Sequence, residues 1–402
     1  MAQINRVSSQ NLFSNGLDEL QRRQQSLART QEQLTSGKRV VRASDDPTAA
    51  ARAERALATV ARADTNLRAL EASRNAMVLS EAALGDATSL LQEARELIVA
   101  SGNPTYSSAE REVLGNRMRD LRAQLLVVAN RDDGSGGYLF AGQGARTAPF
   151  VDGAQGVRYA GQSGDQMVAS ENPLPVTVDG RLAWASGRTG NGVFATAPGT
   201  PASTTAWIDS GQVADPSALT GASYRVTING SNAVVDRLAA GGAVAATTTL
   251  PLQVGSAMVV DGMAFTIRGA PAQGDTFTIT PSEPSLNAFD VLDTAIANLR
   301  APSQTNAQRA QSVAVGLRDM DGAITMVQGA RSRVGAMLGS IDQTEARIQD
   351  LRLYGQKERS AAEDLDMTAA VSDFQNQQTG YDAALRSYAM VQRMSLFDYI
   401  NG

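Results

Sequence analysis

The first apolar positions of the chain fall in heptads. Phe13, Leu20, Leu27 and Leu34 recur every seven residues, with Leu17, Gln24 and Gln31 interleaved. That spacing predicts a helix with an a/d seam, glutamine standing at two of its three a positions. Ser36-Gly37-Lys38-Arg39 breaks the pattern. Asp46 followed by Pro47 then predicts a helix start, with Asp46 as N-cap and Pro47 at the first helical position. From there Leu57, Val60, Leu67, Leu70, Met77, Leu84, Leu91 and Ile98 continue an apolar stripe, the last five members seven apart. Gly102-Asn103-Pro104 ends it, and Ser107 to Glu110 has the capping-box pattern that opens a third helix. Leu114, Met118, Leu121, Leu125 and Val128 form its inward face.

The far end of the chain mirrors this. Phe289, Leu292, Ile296 and Leu299 mark a short helix, and Val313, Leu317, Met320, Ile324, Val327, Val334, Leu338, Ile341 and Ile348 lie on one 4-3 track. Five glycines interrupt that track, Gly316, Gly322, Gly329, Gly335 and Gly339. They weaken a helix while permitting close backbone approach. Met367, Val371, Phe374, Tyr381, Leu385 and Tyr388 hold the phase almost to the end.

Between the arms the pattern changes. Residues 141–285 hold 20 of the 36 glycines and 10 of the 13 prolines, but only 17 of the 77 charged residues. Short Thr/Val/Ile/Phe runs alternate with turns, which predicts strands. Asp179-Gly180, Asn229-Gly230 and Asp261-Gly262 each sit beside an alternating segment, a hairpin signal. Residues 264–267 and 276–280 read as two strands paired with each other, and Tyr138-Leu139-Phe140 as a short strand. The expected fold class is therefore α+β multidomain: N- and C-terminal helical arms paired in a coiled-coil bundle, with an inserted all-β domain. The expected boundaries are 1–45 plus 360–402 for terminal coiled-coil segments, 46–140 plus 286–359 for a helical bundle, and 141–285 for the β-rich insert.

Composition removes most chemistry. The chain has no histidine and no cysteine. Ser-His-Asp and Cys-His nucleophile systems, and Cys/His metal sites, are therefore excluded. A net charge of -5 argues against a general affinity for nucleic acid or anionic lipid. The N-terminus lacks a basic start followed by an apolar run, so no cleaved secretory signal is expected, and no apolar stretch is long enough to insert in a membrane. Glu363, Asp364 and Asp366 cluster, but they open a predicted helix, where acids favour the dipole. Asp132-Asp133-Gly134-Ser135-Gly136-Gly137 lacks the alternating acids and closing Glu of a calcium loop and reads as a turn. Gly142-Gln143-Gly144 lacks the third glycine of a dinucleotide motif. No catalytic, metal or cofactor residues are assigned, and the chain is not expected to be an enzyme. A carboxylate-only hydrolase in the β domain is the alternative from another class.

The terminal segments bury too little to stand alone. Four large side chains recover much less than the ordering of about two dozen residues costs in backbone entropy. Both ends are expected to be loose in the monomer and to order against copies of the same or related chains. The expected assembly face is Phe13, Leu17, Leu20, Leu27 and Leu34 with Val371, Phe374, Tyr381, Leu385 and Tyr388.

The stretch Leu34-Thr-Ser-Gly-Lys-Arg-Val-Val-Arg-Ala-Ser-Asp-Asp-Pro47, with the helix before it, resembles the N-terminal signature of the bacterial flagellin superfamily. The signature residues are Ser36, Gly37, Arg39, Ser44, Asp45, Asp46 and Pro47. Leu91 to Ile98 resembles the helix segment that follows in that superfamily. Pro47 stands where flagellins usually carry Ala, Tyr138-Leu-Phe-Ala-Gly142 precedes Pro149-Phe150, and the tail closes on Met394 to Gly402 rather than a Leu-Leu-Arg type end. Gly274-Asp275-Thr276-Phe277 resembles a segment of hook-associated proteins. These features are nearer to the hook–filament junction members than to flagellin, which remains the same-class alternative. The resemblance implies a secreted structural protein of the extracellular flagellum. Its implied partners are copies of itself in a ring, the adjacent hook-associated protein, flagellin and a type III export chaperone. It implies no cofactor.

Overall fold

The computed structural model describes residues 9–143, 146–168, 174–200, 202–302 and 304–400, with the side chains of 14–390 within those ranges. The elements alternate as the pattern predicts: helices, strands, then helices. Helix α1 is Ser9–Ser36, α2 Pro47–Ser101 and α3 Ser108–Ala129. Strands β1 (Phe150–Gly153), β2 (Gly156–Tyr159), β3 (Met167–Val168) and β4 (Leu174–Pro175) precede the five-residue α4 (Gly180–Trp184). Strands β5 (Phe194–Pro198), β6 (Ala206–Ile208), β7 (Gln212–Val213), β8 (Ser223–Asn229), β9 (Asn232–Leu238) and β10 (Val244–Pro251) follow. Then come β11 (Ala257–Val260), β12 (Met263–Gly269) and β13 (Thr276–Pro281), and the chain closes with α5 (Ala288–Arg300), α6 (Asn306–Glu363) and α7 (Met367–Ile400). Two compact units result. One holds the described residues up to Arg68 and from Thr344; the other is Ala69–Gln343.

Within Ala69–Gln343 the heptad stripe of α2 is core. Leu70, Met77, Leu84, Leu91 and Ile98 are all buried, and so are Met320, Val327, Val334 and Ile341 of α6. Ion pairs fix the two helices antiparallel along their edge: Arg74–Asp342 at 2.5 Å, Arg331–Glu81 at 2.6 Å and Arg95–Asp321 at 2.6 Å. Exposed pairs such as these contribute little energy, but they hold one register. Helix α3 starts at the expected capping box, Ser107 and Glu110 each accepting from the other's backbone N–H. It packs on α5, Gly115 lying against Leu299 and Arg300, and its Met118, Leu121 and Leu125 are buried. Of the five glycines on the apolar track of α6, two serve close approach: a Cβ on Gly322 would lie 2.8 Å from Leu286 Cδ2, and one on Gly316 would lie 3.4 Å from Ile98 Cγ2. Gly329, Gly335 and Gly339 face nothing within 4 Å, so the close-approach reading fails for those three.

The β core lies between two sheets. One runs β10-β9-β8-β13-β5; the other runs β11-β12-β6, with β7 also paired to β12. Tyr224, Val226, Ile228, Val235, Phe277 and Ile279 of the first meet Ile208, Met258, Val260, Phe265 and Ile267 of the second. The two segments expected to pair with each other, 264–267 and 276–280, instead belong to different sheets. Their alternating faces are satisfied equally well by facing across a core, which periodicity alone does not distinguish. Asp261-Gly262 does make the expected tight hairpin, both with positive φ (44° and 80°), and Asp261 Oδ2 accepts from the Tyr224 hydroxyl at 2.6 Å. The Asn229 signal also marks a hairpin, with Gly230-Ser231 as the connecting pair.

Asp179-Gly180 is not a hairpin. Asp179 caps α4, its Oδ1 accepting from Arg181 N at 2.9 Å, because the same side chain that favours turns also satisfies a helix N-terminus. Tyr138-Leu139-Phe140 is a turn rather than a strand, and its two apolar side chains are wholly buried. Phe140, Phe150, Tyr159, Trp184 and Phe289 form one aromatic cluster, with neighbouring ring centroids 5.3–6.3 Å apart, that fastens the β1–β2 hairpin and α4 to α5. Gly142 has φ +69°, and a Cβ there would overlap Gln162 O, so this position requires glycine. Gly144 lies outside the described residues.

Candidate assembly surface

The unit that contains both ends of the chain is built from two helix pairs and a clasp. Both strands of the chain break together, between α1 and α2 and between α6 and α7. Gly37 ends α1 in the left-handed region (φ +68°), and its carbonyl accepts from Leu365 N at 3.0 Å. Arg39 N donates to Glu363 O at 2.7 Å. The Arg39 guanidinium spans the break, reaching Ala362 O at 2.8 Å and Asp46 Oδ2 at 3.2 Å. Lys38 Nζ meets Glu363 Oε1 at 3.3 Å. Asp45 Oδ2 accepts from Arg42 N at 2.8 Å and turns the chain, Ser36 Oγ accepts from Lys38 N, and Ser44 is exposed. Apart from Ser44, the signature residues therefore form one elbow, which stitches 36–47 to 362–366.

Asp46 is the N-cap of α2, its Oδ1 accepting from Ala49 N at 2.9 Å, with Pro47 opening the helix as expected. The acid cluster divides differently from the sequence expectation. Only Asp366 opens a helix, accepting from Thr368 N and Ala369 N, while Glu363 ends α6 and pairs with Lys38 and Arg359. Hydrogen bonding from Ala49, then from Arg39, holds the Asp46 carboxyl below the ordinary 3.8. A pKa depressed on folding gives stability that is present above the unfolded value and lost as pH falls through the folded one. Asp46→Asn should therefore lower the melting temperature of the monomer at pH 7, with the gap to the unsubstituted chain closing below about pH 4. Melting curves followed by circular dichroism across pH 3–7 test this, and a gap independent of pH contradicts it.

Helices α1 and α7 pair antiparallel. Thr30 Oγ1 donates to Gln377 Oε1 at 3.1 Å, and the Cβ position of Gly16 lies 3.2 Å from Tyr388 Cδ2. The covered side of α1 follows Gly16, Leu20, Leu27, Thr30 and Leu34, and that of α7 follows Ala370, Phe374, Gln377, Tyr381 and Tyr388. Every second member of the expected seam is thus replaced. Leu20, Leu27 and Leu34 face the partner helix as expected, but Gly16 and Thr30 complete the contact in place of Leu17 and Gln31, and Gln24 and Gln31 are exposed. On α7, Ala370 and Ala384 take the part expected of Val371 and Leu385. Thr30 and Gln377 are contact residues that an apolar search misses; the interhelical hydrogen bond between them is the reason they lie inward.

The consequence is an uncovered half-stripe on each helix. Leu17 is 41% exposed, Val371 43% and Leu385 41%, while Leu20, Leu27, Leu34, Phe374, Tyr381 and Tyr388 are half-buried. In the described parts of α1 and α7, only Thr30 and Ala370 are buried. The Phe13 side chain lies outside the described residues. Among the described residues no group of acids, histidines or cysteines could hold a metal ion, and no helix is long and apolar enough to cross a membrane.

Three family models match the chain in order. That for the bacterial flagellin N-terminal helical region covers residues 7–145, that for the flagellar hook-associated protein 1, D2-like domain covers 200–281, and that for the bacterial flagellin C-terminal helical region covers 317–400. Flagellar hook-associated protein 3 of Salmonella typhimurium is 26% identical over 98% of both chains, and that of Escherichia coli K12 is 25% identical over 98% of both. Among solved structures, flagellar hook associated protein-3 from Legionella pneumophila matches at 25% identity, with a TM-score of 0.69 over 76% of this chain and 97% of that one. The chain belongs to the bacterial flagellin superfamily, and within it to the flagellar hook-associated protein 3 group.

Proposed function

We propose that the chain is a structural junction piece of the bacterial flagellum that self-assembles through its terminal helices, with Phe13, Leu17, Leu20, Leu27 and Leu34 and with Val371, Phe374, Tyr381, Leu385 and Tyr388 at the contact. The observation that carries this reading is the pair of half-stripes on α1 and α7 that the helix hairpin leaves uncovered. Neighbouring copies supply the missing cover, so ordering and assembly are one event. Copies form a ring whose two faces meet the adjacent hook-associated protein and the flagellin filament. Export proceeds as an unfolded chain through the type III apparatus with a chaperone. A sequence without cysteine suits that route, since no disulfide forms to block threading. The relatives are named as hook-associated and junction proteins, which favours a junction over a filament subunit or a hydrolase.

Deletion of the gene tests the role. The expected result is flagellin released as monomers, with hooks present and filaments absent. Filaments of normal length on the deletion strain contradict it.

A further inference from the structure

The unit Ala69–Gln343 carries an open cleft of about 1010 Å³ between one face of α6 and the loops before β5 and after β6. Five arginines line it and two aspartates, in a chain of net charge -5. Both aspartates are engaged: Asp321 with Arg95 at 2.6 Å, and Asp209 Oδ1 with Thr266 N at 2.9 Å. Arg318 is held by Asp319 and by Thr196 O. Arg188, Arg268 and Arg333 have no carboxylate partner among the described residues, and Arg268 lies 5.7 Å from the Trp207 ring centroid. Unpaired guanidiniums beside backbone glycines (Gly187, Gly190, Gly192) suit an acidic polypeptide better than a small apolar ligand, whose sites are lined by apolar side chains.

The same unit presents a matching acidic feature. The β1–β2 hairpin turns at Ala154-Gln155 between paired glycines, which makes its tip slender. Asp152, Asp290 and Asp293 surround that tip. One arginine pairs with two of the three: Arg122 Nη1 meets Asp152 Oδ2 at 2.7 Å and its Nη2 meets Asp293 Oδ2 at 3.0 Å, which leaves the group net negative. Asp290 has no ion pair among the described residues.

We propose that the arginine cleft of one copy receives the β1–β2 turn of the next copy together with the aspartates that flank it, Asp290 foremost. The contact is heterologous: one surface meets a different surface of its neighbour, so it propagates from copy to copy as a ring requires. Long-range attraction of opposite charges orients the incoming copy before the terminal helices pair. This inference rests on the self-assembly reading above.

The absence of cysteine makes the test clean. Ser210→Cys places a thiol in the cleft and Gln155→Cys one at the hairpin tip. Flagella assembled by the double variant and then oxidised should yield a ladder of dimers, trimers and larger species of this chain. A mixture of the two single variants should stop at dimers. Swimming cells whose oxidised flagella give monomer alone overturn the cleft contact while leaving self-assembly through the termini intact. Loss of assembly through the termini shows instead as absence of the chain from flagella. If the double variant itself does not assemble, charge reversal decides. Arg268→Glu with Arg333→Glu should lower filament retention at least tenfold, and coexpression of Asp290→Arg should restore it. Full retention with the arginines reversed, or no rescue, overturns the proposal.

Discussion

Leu27→Asp and Leu385→Asp should each abolish filament attachment while the β core stays folded. In the single chain Leu27 is half-buried and Leu385 is 41% exposed, so a carboxylate at either site stays hydrated and costs the monomer little. On assembly the same position loses its water. An unpaired carboxylate taken out of water costs several kcal/mol, and every copy in the ring bears that cost. The expected loss of junction assembly exceeds about 100-fold, since ~2.7 kcal/mol suffices for that factor. Motility plates read it directly, and circular dichroism of the purified monomer checks the fold. Normal swimming by either variant contradicts the assembly face.

Leu84→Ala should be costly where Leu385→Ala is nearly silent. Leu84 is 0% exposed, between buried neighbours of the α2 stripe, so its truncation leaves a cavity and costs about 2–5 kcal/mol. Leu385→Ala removes a side chain that is 41% exposed and leaves no enclosed cavity, and costs under about 1 kcal/mol in the monomer. Denaturant titrations of the two monomers should separate them by several kcal/mol for the helical transition. Equal costs would mean that the terminal stripe is already core in the lone chain.

Much of this architecture is written in local patterns, and the exceptions share a cause. The stripe from Leu70 to Ile98, the Asp46-Pro47 start, the Ser107 capping box and the Asp261-Gly262 turn are decided within a few residues, and each takes its expected form. Partner choice is not local. Nothing in the alternation of 264–267 and 276–280 states whether they pair edge to edge or face each other across a core. Asp179-Gly180 serves a hairpin or a helix cap with the same side chain. In the terminal helices the heptad frame puts Leu20, Leu27, Leu34, Phe374, Tyr381 and Tyr388 on the covered side, where the structure has them, but also puts the glutamines of α1 inside. The actual contact follows Gly16 and Thr30, a small residue and a hydroxyl that apolar periodicity passes over. That one-residue shift at alternate seam positions is why Leu17, Val371 and Leu385 remain open.

The central claim is that the terminal helices are incompletely covered in one molecule and completed by others. Amide hydrogen exchange of residues 14–34 and 371–388, in dilute monomer and in assembled flagella, tests it most directly. Opening free energies should be near zero in the monomer, far below those of the Leu84 region, and rise sharply on assembly. Protection in the dilute monomer equal to that of the α2 core would contradict the account.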